Sequence, residues 1–444
     1  MIATTTRGAL LTRTFSEFTH LFLPSPGRQR LSSVNTLRPL IRTASFNHDT
    51  PYFLVNARCE DLYPSSVTQS RIKQLDQGGP GSQTNVEIHP ESTPFGDRLV
   101  IYKPTPSLSL SHLLKVYTQL SKFRLTFLVV LTSMSGVALS PLPVTLPVLL
   151  STALGTALCS ASANTLNQLK EVPFDAQMTR TRMRPLVRGA VSSAHATGFA
   201  MATGLVGPAI LAIFCNPVSA LLGMANIGLY AGVYTSLKRS SVMNTWVGSF
   251  VGGMPPLIGW TACGGNLLPS STYPIQFFPP PFLSDLAAAI PVEHVDNPLS
   301  ALALFCLAFS WQFPHFNPLA YTVRDSYAQG GYKMLAVTNP LLNRLVSLRH
   351  AGALIGICST LIPLSGLTTW AFAITSLVPN AYLSRAAWDF WRMGTEKEAK
   401  MLFHTSLWYL PVILALMMFH KQGMEWLDFF GKTPPTDKPD PVPR

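Results

Sequence analysis

The stretch FRLTFLVVLTSMSGVALSPLPVTLPVLLSTALGTALCSASA, residues 123–163, carries one charged side chain, Arg124. It divides into two apolar runs, 123–141 and 145–163, each close to the about 20 residues that cross about 30 Å of hydrocarbon as a helix. Similar runs follow at 192–214, 217–236, 243–261, 299–320, 345–364, 367–387 and 402–420. The seventh and eighth are divided only by Ser365-Gly366, and their combined length is too great for one crossing, so a tight turn is expected there. The prediction is an all-α membrane protein with nine transmembrane helices.

Composition agrees with that solvent. Of 444 residues, 47% are hydrophobic and 12% charged, and the mean hydropathy is +0.26. That is too few charges to coat a water-soluble fold. The net charge of +12 suits nucleic acid, anionic lipid or an anionic substrate until the charges are placed. Six cysteines without C-x-x-C spacing read as apolar fillers rather than disulfides or metal ligands.

Residues 1–47 hold Arg7, Arg13, Arg28, Arg30, Arg38 and Arg42 among many Ser and Thr, with Glu17 the only acid before 48. This is the composition of a mitochondrial transit peptide. Residues 48–110, polar and rich in Pro, Gly, Ser and Gln, read as a poorly ordered linker. The nine-helix domain is expected over 111–422 and a tail over 423–444.

The cations sort by loop. Lys115, Lys122 and Arg124 stand at the first span; Lys170, Arg180, Arg182, Arg184 and Arg188 lie between spans two and three, and Lys238 and Arg239 between four and five. Arg324, Lys333 and Arg344 lie between six and seven, and Arg385, Arg392, Lys397 and Lys400 between eight and nine. The long loop from about 263 to 298 has Asp285, Glu293 and Asp296 but no Lys or Arg. Nine crossings put every basic loop on one side, which positive-inside logic makes the matrix. Nucleic acid is not an expected partner; the lipid bilayer is.

Two basic loops also contain acids. Asn167, Glu171 and Asp175 recur every four residues, a spacing that stacks three oxygen-bearing side chains on one helix face, where a hard cation such as Mg²⁺ finds ligands. Pro173 allows a kinked or unwound segment instead. Arg180 and Arg184 follow on a similar period, and guanidinium forks suit phosphate oxygens. A solvated loop with helix-pairing charges is the competing reading of the spacing. Acids at the end of a lipid-embedded helix favour function.

From Asn164 to Leu186 the chain resembles the N-x-x-x-D-x-x-x-D motif of the UbiA superfamily of intramembrane prenyltransferases, with Glu171 in place of its first Asp. The R-T-x-x-R-P element after it resembles the heme O synthase branch. Three further stretches are similar to that branch: Tyr234-Thr235-Ser236-Leu237-Lys238-Arg239 with Asn244; Gly248 to Trp260; and Trp311-Gln312-Phe313-Pro314-His315-Phe316. Arg324-Asp325-Ser326-Tyr327 resembles the second acidic motif, with Ser326 where relatives often have an acid.

The resemblance, over about 112 to 420, implies a UbiA-like helical bundle with a central cavity and transfer of farnesyl from farnesyl diphosphate to a vinyl group of protoheme IX. It implies Mg²⁺ held by Asn167, Glu171, Asp175 and Asp325, which would also be the catalytic set. Substrate contacts are implied for Arg180, Arg184, Lys238, Arg239, Asn244, Trp311, His315, Arg324 and Tyr327. Heme A synthase and other cytochrome oxidase assembly proteins are the partners it suggests. Gly248, Gly252 and Gly253 would admit a large planar ligand where Pro255 and Pro256 break the helix, although small residues also serve plain helix packing. His315 would bind heme iron or a propionate, assist proton transfer, or simply bond a neighbouring group. A prenyltransferase acting on a quinone precursor and a membrane transporter are the alternatives. The W-Q-x-P-H and G-G-M-P-P elements oppose the first and the paired acidic loops the second.

Overall fold

A computed structural model describes residues 109–280, 282 and 296–422. The predicted transit peptide, the linker apart from its last two residues, the tail after 422, and Asp285 and Glu293 lie outside the described residues.

Helix starts follow a repeated local rule. Asn216-Pro217, Asn297-Pro298 and Asn339-Pro340 each open a helix, the Asn side chain accepting from the backbone N–H of Ser219, Leu299 and Leu342. Proline at the first helical position loses no hydrogen bond, because that N–H has no intrahelical acceptor. Ser109 and Ser192 cap two more helices through the N–H groups of His112 and His195.

The helices are α1 (Leu110–Leu120), α2 (Phe123–Leu139), α3 (Leu146–Asp175), α4 (Ser193–Phe214), α5 (Pro217–Ser240), α6 (Asn244–Ala262) and α7 (Pro298–Thr322). Then come the short α8 (Arg324–Gln329) and α9 (Leu335–Thr338), α10 (Pro340–Leu364), α11 (Ala371–Thr375), α12 (Leu377–Met393) and α13 (Glu396–Phe419). Among the described residues there is no strand; Thr368 and Lys421 form an isolated antiparallel bridge. α10 ends at the predicted turn, where Gly366 takes φ +82°, a left-handed conformation costly for a residue with a Cβ.

The polarity of the bundle is inverted relative to a water-soluble protein. Leu146, Leu150, Leu205, Ile213, Phe214 and Leu221 are exposed, whereas Asn164, Asn167, Gln168, Glu171 and Asp175 are buried. A lipid solvent explains both, since apolar side chains lose nothing by facing acyl chains while polar ones must find partners inside.

α2 and α6 pack backbone to backbone. A Cβ built on Gly259 would lie 1.9 Å from the Ser133 carbonyl oxygen, and one on Gly136 2.1 Å from that of Pro256. Small residues permit this approach, which replaces the missing hydrophobic drive between helices in lipid.

The structure shows fewer clear spans than the nine predicted. Six helices (α3, α4, α5, α7, α10 and α13) are long and apolar enough to cross a membrane, and α1 with α2 make a seventh if that pair, bent by 57°, is one span. α6 and α12 stand where the fifth and eighth spans were expected. α6 is buried along most of its length, so its Gly, Pro, Ser and Thr side chains meet protein and need not be apolar. α12 has 17 residues and carries Arg385, Asp389 and Arg392.

Two local expectations are corrected. Pro255 and Pro256 do not break α6, which runs from Asn244 to Ala262; proline has a helix-compatible φ, and the surrounding helices hold the segment against the lost hydrogen bonds. Pro173 neither ends nor unwinds α3, which continues to Asp175. Gly248, Gly252 and Gly253 face the side chains of Tyr234, Gln312 and Phe305, so they serve helix packing.

A cavity of about 490 Å³ opens between the α2–α3 link and Lys421, beside Leu146 and Leu149. It lies at the start of α3, on the order of 35 Å along that helix from Glu171 and Asp175. It is therefore distinct from the central cavity expected beside the acids.

Candidate active site

The last three turns of α3 place Asn167, Glu171 and Asp175 on one face, all but fully buried. Buried polar side chains require partners; two parts of the chain supply them to the carboxylates and a third to Asn167. Lys238, near the end of α5, donates from Nζ to Glu171 Oε1 at 2.6 Å. Arg184, in the loop after α3, donates from Nη1 to Glu171 Oε2 at 3.4 Å and to Asp175 Oδ2. Lys122, between α1 and α2, donates from Nζ to Asn167 Oδ1 at 2.9 Å and to the Tyr230 hydroxyl at 3.4 Å. The Asn167 amide donates in turn to Thr235 Oγ1 at 3.0 Å.

Local backbone shapes aim these groups. Lys122 has φ +49°, the left-handed conformation otherwise confined among the described residues to glycine. This costs about 1 kcal/mol or more and persists where surroundings demand it. α5 widens into a π-helix over Gly228–Tyr234, a form common at functional sites. It brings Tyr230 and Tyr234 to the cluster, where the Tyr234 ring lies 4.6 Å from Lys238 Nζ.

The third basic loop closes over the first two. Lys333 N–H donates to the Lys238 carbonyl at 2.7 Å, and Asn244 Nδ2 donates to the Lys333 carbonyl at 3.0 Å. Tyr332 and Met334 pack with Met178, and Phe174 and Tyr327 press against them.

Lys122, Arg184 and Lys238 outnumber Glu171 and Asp175, three basic side chains to two carboxylates, although burial and the neighbouring Arg184 and Lys238 charges lower the Lys122 pKa to about 7. Burial opposes the Arg184 charge, but the carboxylates of Asp175 and Glu171 raise its pKa and keep it cationic. Basic side chains gathered on the acids at the end of a membrane helix suit an anionic ligand.

The donor set fits a hard cation. Two carboxylates and an amide oxygen lie on one face, and Asp175 Oδ1 is buried with no hydrogen-bond partner. No group of three His, Cys, Asp or Glu side chains is gathered among the described residues. Asp325, the remaining acid of the predicted set, has its side chain 92% exposed, 3.7 Å from Arg324.

The remaining candidates divide. Arg180 lies over the Tyr327 ring and Arg239 over Phe174, at the rim of the cluster. Arg324 lies over Tyr321. Asn244 acts through backbone carbonyls, clasping the third loop. Trp311 and His315 stand apart, packed between α7 and α13. Trp311 Nε1 donates to the Ser406 carbonyl at 2.9 Å, His315 Nδ1 bonds Ser406 Oγ at 3.0 Å, and the two rings stack at 4.6 Å.

Sequence reading missed Lys122, Tyr230, Thr235 and Tyr332 as members of the site. Lys122 reads as a topology charge, and nothing local ties it to Asn167, 45 residues away. Tyr332 stands in the G-G-Y-K run that ends the second acidic motif, where glycines before an aromatic residue are a sign of a tightly placed ring.

A buried anion site of this kind, with acids at the end of one membrane helix, is what intramembrane diphosphate chemistry requires, and the family profile named UbiA prenyltransferase matches residues 128–408. The chain belongs to the UbiA prenyltransferase family. Its similar relatives include proteins named "Protoheme IX farnesyltransferase, mitochondrial". That of Homo sapiens is 38% identical over 369 residues, 81% of this chain and 74% of its own length. That of Neurospora crassa is 43% identical over 346 residues, 74% of this chain and 65% of its own length. For Pongo abelii the identity is 41%, over 69% of this chain and 62% of the relative. Among solved structures, one described as a digeranylgeranylglyceryl phosphate synthase in membranes has a TM-score of 0.52 at 12% identity, covering 69% of this chain and 98% of its own. That similarity shows a shared fold.

Proposed function

We propose that this chain transfers farnesyl from farnesyl diphosphate to a vinyl group of protoheme IX, forming heme O in the inner mitochondrial membrane. The observation that carries the reading is the cluster of Lys122, Arg184 and Lys238 on Asn167, Glu171 and Asp175, in a chain whose relatives bear the protoheme IX farnesyltransferase name.

In this reading the diphosphate lies among Lys122, Arg184 and Lys238, with Arg180 and Arg239 at its entrance. Asn167, Glu171 and Asp175 would hold Mg²⁺; Asp325, exposed beside Arg324, would join them only by turning inward. When bound, Mg²⁺ would offset the charge of the diphosphate. The cationic side chains stabilise the oxygen that accepts the electron pair as the allylic C–O bond breaks. The aromatic rings of Tyr230 and Tyr234 keep water from the farnesyl carbon until the vinyl carbon attacks it. Water then supplies the hydroxyl at the other vinyl carbon, and its proton leaves to solvent or diphosphate.

The direct test is incubation of purified protein with protoheme IX, farnesyl diphosphate and Mg²⁺, followed by mass spectrometry of extracted heme. Addition of a hydroxyethylfarnesyl unit supports the reading; farnesylation of a quinone precursor instead, or no product, defeats it.

His315→Ala is expected to weaken heme use several-fold more than farnesyl diphosphate binding, because His315 and Trp311 lie on α7 away from the acid cluster. Separate titrations of the two substrates decide this, and equal losses count against a heme-side role.

Residues 1–47 are read as the transit peptide. Nine crossings, with α6 and α12 among them, place the basic loops in the matrix. Arg180→Cys is therefore expected to resist impermeant thiol reagents applied to intact mitoplasts from outside and to react once the membrane is opened. Labelling from the intermembrane side sinks the orientation.

A further inference from the structure

We infer that the Tyr332 hydroxyl is a further diphosphate-binding group, donating a hydrogen bond to a non-bridging diphosphate oxygen. The inference deepens the functional reading above and rests on it.

Tyr332 is 4% exposed, and its hydroxyl is buried and makes no hydrogen bond of ordinary geometry, although the Glu171 carboxylate, already engaged by Lys238 and Arg184, lies close enough to act on it. A buried hydroxyl without a good hydrogen bond is costly, so native structures rarely retain one without use. Its position gives the use. The ring lies 5.9 Å from Lys238 Nζ and edge-on to Phe174, at 6.2 Å, and to Tyr327, at 6.0 Å. The charges of Glu171, Asp175 and Arg184 all act on the hydroxyl, which places it beside the cluster.

Asp175 Oδ1 is unpaired in the same cluster. One orphan is a donor and the other an acceptor, a pair that water can bridge until a ligand arrives. An anion accompanied by its cation serves both, the phosphate oxygen accepting from Tyr332 and the metal meeting the carboxylate. A phenol is protonated at neutral pH, so the hydroxyl is a donor.

The loop holds the ring in place before any ligand arrives. Gly331 takes φ +69°, Tyr332 N–H donates to the Tyr327 carbonyl at 2.9 Å, and Lys333 N–H donates to the Lys238 carbonyl at 2.7 Å. A donor fixed beforehand needs no reorganisation as charge grows on the leaving oxygen.

Tyr332→Phe removes the hydroxyl and keeps the ring. With the full chain in detergent, affinity for inorganic pyrophosphate in the presence of Mg²⁺, measured by calorimetry, is expected to fall about tenfold. The kcat/KM for farnesyl diphosphate should fall by about 10- to 100-fold, with KM for protoheme IX unchanged. Unchanged pyrophosphate affinity in Tyr332→Phe overturns the assignment. Failure of the wild-type chain to bind pyrophosphate overturns the functional reading itself, which separates the two. Should Tyr332→Phe not fold, 3-fluorotyrosine at position 332 keeps both ring and hydroxyl. Its fluorine resonance is expected to shift on adding pyrophosphate with Mg²⁺, and an unshifted resonance overturns the assignment equally.

Discussion

Asp175→Asn is expected to lower heme O formation by at least about 100-fold. The substitution keeps the size of the side chain and removes the charge that meets both Arg184 and a hard cation. Asp175 is the sharper test of the two carboxylates, because its Oδ1 is free of protein partners while both Glu171 oxygens are engaged. Glu171→Gln should lose less at high Mg²⁺ than at low, since its part in metal affinity can be restored by mass action. Initial rates against Mg²⁺ concentration for the two variants decide the matter. Near-normal turnover in Asp175→Asn removes the end of α3 from the mechanism.

Lys238→Met has the second largest expected effect, and it falls on stability as well as rate. Lys238 is paired with buried Glu171 at 2.6 Å, and removing one partner of a buried ion pair costs up to about 3–5 kcal/mol, of which Arg184, 3.4 Å from the other Glu171 oxygen, offsets a part. The variant should melt well below the wild type in detergent and turn over at least about 100-fold more slowly. Lys238→Met combined with Glu171→Gln removes both charges, so much of the lost stability should return while the lost activity does not. A double variant no more stable than Lys238→Met shows that the pair contributes little, and one with recovered activity shows that neither charge serves the reaction.

The candidate site was legible in the sequence where its chemistry repeats along one helix. Asn167, Glu171 and Asp175 share a face because α-helical geometry brings every fourth residue round, and α3 runs unbroken through Pro173 to keep that face intact. Arg184 was legible for the same reason, standing in the same loop. Asp325 was read as an equal partner from its motif, but a motif does not set the direction of a side chain. On the six-residue α8 the carboxylate turns to solvent beside Arg324. His315 shows the converse. Its surroundings were named from neighbours in sequence, Trp311 and Pro314, whereas its hydrogen bond goes to Ser406, 91 residues on.

The amino-acid order alone decided the solvent, the helical class, the Asn-Pro starts of α5, α7 and α10, and the turn at Ser365-Gly366. Each depends on groups within about four residues of one another, where hydrogen-bond geometry and side-chain periodicity act without a distant partner. Packing in three dimensions decided that α6 continues through Pro255 and Pro256, and that Gly136 and Gly259 let it lie against α2. It also decided that Lys122 reaches Asn167 across 45 residues and Lys238 reaches Glu171 across 67. Coulomb attraction and close packing depend on distance through space, and a buried charge takes whichever partner the folded chain brings within about 3 Å of it.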